Sequence, residues 1–155
     1  MNKETLEAQR IEGMAESMVD EAVYGFLGMI SGGKPYAIPI SFARQGQTIY
    51  FHGGRGRKSE ALRSHPHACL TMVDTPRLIQ GDTGCNVSFA YRSVLVSGPV
   101  RRVQDSEEKG RALTALVAKY HAEQAAAGLA AGTVERTLVW ALEVDQVSLC
   151  VKRED

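Results

Sequence analysis

The chain has 155 residues, 44% of them apolar, with eighteen basic side chains against eighteen acidic ones and a formal net charge of zero. That length supports one domain with a sizeable core, read here as a single domain over residues 1–155. Zero net charge leaves no overall field to hold a nucleic acid or an anionic membrane, so any anion site must be local.

The first residues, MNKETLEAQRIEGMAE, have acidic side chains scattered throughout and carry no apolar h-region. No run is long and apolar enough to span a bilayer, and the expectation is a cytoplasmic protein. Glu, Ala and Met dominate from Thr5 to Ala22, which predicts a helix within residues 1–22, weakened at Gly13. Tyr24 to Ile30 reads as a strand, and Ser31-Gly32-Gly33-Lys34 as the turn of a hairpin. In the returning strand, Tyr36, Ile38, Ile40 and Phe42 alternate with Ala37, Pro39 and Ser41, a period of two that puts one set into the core and the other on the opposite face. Pro39 has no N–H to give, which predicts an edge or a bulge there.

Gln45-Gly46 makes a second tight turn into Thr48 to His52, where Ile49 and Phe51 are expected on one face and Tyr50 and His52 on a polar face. The glycine-rich, basic loop Gly53 to Arg57 follows, then a short helix from Lys58 to Ser64 that stops before Pro66. Phosphate oxygens need several donors and a positive field at once. Backbone N–H groups at a helix start, joined by Arg55, Arg57 and Lys58, supply both. The rival reading is a flexible turn whose charges face water. A Walker loop is excluded, because Arg57 stands where the glycine before the lysine is required and a hairpin precedes the loop.

His52, at the end of its strand, is a candidate ligand contact and proton carrier near neutral pH, against the plainer role of satisfying backbone groups. His65, His67 and Cys69 alternate onto one side of an extended segment but lack a fourth ligand, so no metal site is read. Cys69, Cys85 and Cys150 are odd in number and widely spaced, which fits reduced thiols better than a disulfide framework.

Ala68 to Val73 reads as a strand, and Asp74 to Asn86 as a long loop with the character of a lid. Tyr91 to Val103 is a long strand with a bulge or bend at Gly98-Pro99. Asp105 and Glu108 form a capping box, and Leu113, Leu116, Val117 and Tyr120 repeat at helical spacing, predicting a helix over residues 106–120. Ala122 to Gly132 either extends it or lies over the surface. Leu138, Trp140, Leu142 and Val144 alternate as a closing strand, followed by Val147 to Val151. Six or seven strands with two or three helices imply an α+β, barrel-like domain.

The run PYAIPISF, the phrase IYFHGG followed by KSEAL from Lys58, and the later YRSVLVSG resemble the pyridoxamine 5′-phosphate oxidase-like split barrels, in particular the branch named for 5-nitroimidazole resistance. The resemblance runs from about Tyr24 to Trp140. It implies a homodimer, a six-stranded antiparallel split β-barrel with flanking helices, and FMN in a cleft at the subunit interface. Haem and deazaflavin binders share the fold. By the same resemblance Pro39, Ile40 and Ser41 lie along the flavin ring, and His52 and Gly53 end the strand beside the ring or its phosphoribityl chain. Arg57 and Lys58 take the phosphate, and Ser93 comes from the strand that closes over the ligand. The ending VSLCVK departs from the shorter Thr-Gly-Lys ending of the pattern.

Two functions follow as expectations. One is a flavin-dependent oxidoreductase that passes electrons from a reduced nicotinamide to a small organic acceptor, a nitroaromatic compound being one candidate, with His52 supplying a proton. The other is a non-catalytic flavin, haem or deazaflavin carrier, since no nucleophile triad or carboxylate pair demands catalysis. Oxidation of pyridoxamine phosphate itself is the weaker third reading, because the fuller set of substrate-binding arginines is absent.

Overall fold

The computed structural model describes residues 3–74, 76–80 and 87–152. Its elements in chain order are α1 (Lys3–Glu21), β1 (Gly25–Ser31), β2 (Lys34–Ile40), β3 (Ala43–Gln45), β4 (Thr48–Gly53), α2 (Arg57–Ser64), β5 (His67–Val73), β6 (Arg77–Ile79), β7 (Ser88–Arg102), α3 (Ser106–Tyr120), α4 (Ala122–Ala126), α5 (Ala131–Arg136), β8 (Leu138–Glu143) and β9 (Gln146–Lys152). The fold is α+β with antiparallel pairing throughout.

The strands run β2-β1-β5-β7-β8-β4-β3, with β6 and β9 attached to β7. Six of them, β2, β1, β5, β7, β8 and β4, make the barrel wall anticipated from the sequence; β3, β6 and β9 are additions at its margins. β6 falls inside the stretch read as a loop from Asp74 to Asn86, pairing Arg77 with Ala90 and Ile79 with Ser88. A three-residue strand is shorter than any period-two pattern can announce. Thr75, the remaining 81–86 part of that loop and Cys85 lie outside the described residues.

The bend expected at Gly98-Pro99 is the point where the sheet divides. Up to Ser97, β7 lies between β5 and β9; from Val100 it pairs with β8 instead. A Cβ on Gly98 would land on the Glu143 carbonyl oxygen and 3.2 Å from the Asp145 nitrogen, so the two backbones meet at a distance only glycine allows.

Ile49, Phe51, Leu70, Val94 and Leu142 fill the barrel with Leu27 and Phe42, all fully buried. Ala61 and Leu62 of α2 join this core and Met18 and Val19 of α1 cover it. A second core lies on the other side of β4 and β8. There α3 lays Ala112, Leu113 and Leu116 against Tyr50, Val139 and Ala141. Tyr50 therefore does not sit on a polar face, as its alternation suggested. It is buried, and its hydroxyl donates to Glu108 at 2.9 Å. Strand β8 is likewise buried on both faces because helices cover the outside of this half.

α3 spans the predicted residues, with the Asp105 carboxylate accepting the Glu108 N–H at 2.7 Å. Behind it Tyr120 holds the link between β2 and β3 from both sides, its hydroxyl accepting from the Phe42 N–H and donating to the Phe42 carbonyl, each at 3.0 Å. No described helix is long and apolar enough to cross a membrane.

Candidate functional site

β4 ends at Gly53, and the chain turns through Gly54, Arg55 and Gly56 into α2. Gly56 caps the helix at a φ of 145°, a backbone conformation that favours glycine. No side chain caps this helix, and its first intrahelical bond is Glu60 N–H to Gly56 O at 3.0 Å. The three preceding amides thus open towards the loop. Ser59, 2% exposed, donates to the Gly54 carbonyl at 2.8 Å and fixes the loop's shape.

Lys58 folds back across Gly53 and donates to the His52 carbonyl at 2.8 Å. A Cβ on Gly53 would collide with the Lys58 ammonium and lie 2.8 Å from its Cε, so the lysine occupies the space that glycine leaves. Partial burial lowers the Lys58 pKa, and among the described residues no carboxylate pairs with the ammonium. A half-buried cation with one neutral acceptor and the Phe51 ring 5.6 Å away has the chemistry to receive an anion. Burial, and then the neighbouring Lys58, hold the His52 imidazole below its ordinary pKa. Arg57 lies with its guanidinium 4.0 Å over the Tyr36 ring and its Nε donating to Ser31 Oγ at 3.0 Å. The basic loop is thereby tied to the β1–β2 turn.

The structure therefore brings His52, Gly53, Arg57 and Lys58 together, and adds Tyr36 and Ser31, which the sequence did not single out as site residues. Arg55 is exposed on the loop. The other expected residues lie further along the barrel. Pro39 is exposed on the outer face of β2, Ile40 is turned into the core at 7% exposure, and Ser41 is exposed just past the strand. Ile40 can offer a ligand only its backbone. β2 ends the strand order, so among the described residues one backbone edge of Lys34–Ile40 has no strand beside it. Tyr36 and Ser41 are five residues apart, roughly 16 Å at the strand rise. A ligand touching both must be extended along β2. Ser93 stands on β7 opposite Val73, with β5 and β1 between it and β2, so one chain does not bring it to Pro39.

Outside the barrel, one face of this half-sheet is largely apolar and, among the described residues, uncovered. Pro39, Phe26, Thr71 and Leu95 follow one another across four strands in register, and Val73 stands beside them. Phe26 is 50% exposed, Val73 56% and Leu95 37%.

This arrangement defines a split barrel with a cationic loop between β4 and α2, tied to the β1–β2 turn. The family described as pyridoxamine 5′-phosphate oxidase matches residues 12–151, and the chain belongs to that family. Solved structures agree. A candidate 5-nitroimidazole antibiotic resistance protein from Bacteroides thetaiotaomicron is 30% identical, with a TM-score of 0.77 over 91% of this chain and 81% of that one. The flavocytochrome Anf3 from Azotobacter vinelandii is 25% identical, with a TM-score of 0.81 over 92% of this chain and 68% of that one. An FAD and haem binding protein from Mycobacterium smegmatis, 23% identical, shares the fold at a TM-score of 0.79 over 92% and 71%. No curated protein matches the chain.

Proposed function

We propose that the chain is a cytoplasmic, FMN-binding oxidoreductase that acts as a homodimer. The observation that carries this reading is Lys58, a half-buried ammonium with a carbonyl and the Phe51 ring beside it and no carboxylate among the described residues, set next to the open amides of α2. The monophosphate of FMN supplies the missing negative charge, and Arg57 and Lys58 grip it from two sides. The free backbone edge of β2 supports the ring along Pro39 to Ser41. When bound, FMN supplies two-electron chemistry between a reduced nicotinamide and a small organic acceptor. His52, its imidazole pKa lowered by burial and by Lys58, stands at the phosphate end of this extended ligand, where it lines the cofactor's tail and exchanges protons with solvent rather than reaching the acceptor directly.

The homodimer is supported by the bare apolar face around Phe26, Val73 and Leu95, which is larger than scattered surface residues explain. A partner seated there brings its own Ser93 towards the ligand of the first subunit. The second reading, a non-catalytic flavin or haem carrier, is favoured by the structural likeness to flavocytochrome and haem-binding proteins.

The test is spectroscopic. The purified protein reconstituted with FMN is expected to hold the yellow cofactor and to bleach when a reduced nicotinamide is added, regaining colour with a nitroaromatic acceptor. Tight FMN binding without bleaching would leave the carrier reading; failure to bind FMN would overturn both flavin readings. Sedimentation is expected to give a dimer, and a flavin-binding monomer would remove the shared site.

A further inference from the structure

Arg57 is held more firmly than an exposed arginine at the start of a helix needs to be. Its guanidinium lies 4.0 Å over the Tyr36 ring and its Nε donates to Ser31 Oγ at 3.0 Å, so the side chain runs from the first turn of α2 to both strands of the β1–β2 hairpin. Both anchors are fixed by the sheet, since Tyr36 packs against the barrel core and Ser31 closes β1 opposite Lys34. Among the described residues Nη1 and Nη2 have no hydrogen-bond partner, which leaves the fork of the guanidinium for a ligand. This clasp marks one end of β2. Tyr36 stands roughly 7 Å from the hairpin turn at Lys34, by the strand rise, while Pro39 to Ser41 lies in the other direction.

We propose that Ser31 and Tyr36 are specificity-determining residues that act through Arg57, and that the clasp they form closes the groove at its phosphate end. The site then takes a terminal phosphomonoester, as in FMN, and rejects a phosphate that continues into a second nucleotide, as in FAD. The flavin part rests on the reading above; the choice between a terminal and a continuing phosphate does not. An FAD and haem binding protein shares the fold, so the barrel by itself does not make this choice. Two effects make it here. A ligand extended along β2 from Ser41 towards Tyr36 brings its tail up to Arg57, and any group beyond the phosphate must cross the side chain that joins α2 to Ser31. Lifting that side chain away breaks its hydrogen bond and its contact with the ring. The second effect is electrostatic. A monoester presents three acceptor oxygens and roughly −1.5 to −2 of charge, enough to meet Lys58 and the Arg57 fork together. Esterified a second time, the phosphate loses an oxygen and part of that charge, and a donor is left unmatched.

Titration of the full chain with two pairs of probes tests this: FMN against FAD by fluorescence, and ribose 5-phosphate against ADP-ribose by calorimetry, the second pair standing for the two tails without the ring. The wild type is expected to bind FMN at least about thirtyfold more tightly than FAD, and ribose 5-phosphate at least about tenfold more tightly than ADP-ribose. Ser31→Ala and Tyr36→Leu release Arg57, and each is expected to cut the FMN preference to about threefold or less. Tyr36→Phe keeps a ring under the guanidinium and is expected to retain the preference. Ser31→Ala removes a single hydroxyl, so it carries the test where Tyr36→Leu does not fold by circular dichroism. A defect of structure alone would weaken both members of a pair equally and leave their ratio as it was; that result in a folded variant would overturn the clasp. FMN and FAD held equally tightly by the wild type would overturn it too, and leave the flavin reading standing. Ribose 5-phosphate preferred by a protein that binds neither flavin supports the clasp and contradicts the flavin reading alone. No binding of any of the four removes both.

Discussion

Lys58 reaches back over Gly53 to the carbonyl of His52, 2.8 Å away, and so spans the junction between a barrel strand and the helix that follows it. The lysine is held there by the space that the missing side chain of Gly53 leaves. Gly53→Ala places a methyl group in that path. The lysine is long and flexible, so the fold is expected to tolerate the change, with a melting temperature close to the wild type. FMN affinity is expected to fall about tenfold because the ammonium is displaced. Fluorescence quenching of FMN on titration measures it.

The His52 imidazole is held below its ordinary pKa by burial and by Lys58. The unfolded chain then takes up this proton first as pH falls through about 6.5, so the ligand-free protein is less stable below that point and more stable above it. Melting temperatures measured between about pH 5 and pH 7.5 are expected to rise with pH, and His52→Gln is expected to flatten part of that slope. A bound phosphate reverses the sign for this residue, because a nearby anion favours the imidazolium. FMN affinity is accordingly expected to strengthen on acidification through the same range, an effect absent in His52→Gln.

Gly98 stands where β7 passes from one half of the barrel to the other. Alanine there cannot be accommodated by a side-chain movement, since the obstacle is the backbone of Glu143 and Asp145. Gly98→Ala is expected to lose on the order of 4 kcal/mol or to yield no soluble protein. Urea denaturation against the wild type reads the difference.

The Asp105 cap is the simplest stabilising device in the fold. Its removal in Asp105→Ala is expected to cost about 1 kcal/mol, or roughly 3 °C in melting temperature, with FMN binding unchanged. Differential scanning calorimetry measures the shift.

The same cap explains what the sequence makes legible. A capping box and a repeating apolar stripe act within one turn of each other, so the ends of α3 follow from residues 105–120 alone. The inward alternation of Tyr36, Ile38 and Ile40 is legible for the same reason: the period of a strand is local. The second core is not, because Tyr50, Val139 and Ala141 are buried by Ala112, Leu113 and Leu116 of a helix that follows Tyr50 far along the chain, and a single strand carries no record of what covers its outer face. The candidate site divides along the same line. The cationic loop is visible as GGRGRKS, whereas its attachment to Ser31 and Tyr36 depends on the hairpin folding back beside it. Ile40 shows the limit most plainly, since the alternation that puts it in the core also withdraws its side chain from the ligand it was expected to touch.

The central claim is that Lys58 holds the phosphate of the cofactor, and charge reversal tests it most directly. FMN affinity of the wild type and of Lys58→Glu, both confirmed as folded by circular dichroism, is to be compared by fluorescence titration at low ionic strength. The account predicts at least about a hundredfold loss in the variant, the equivalent of roughly 2.7 kcal/mol. An affinity within about twofold of the wild type would contradict it.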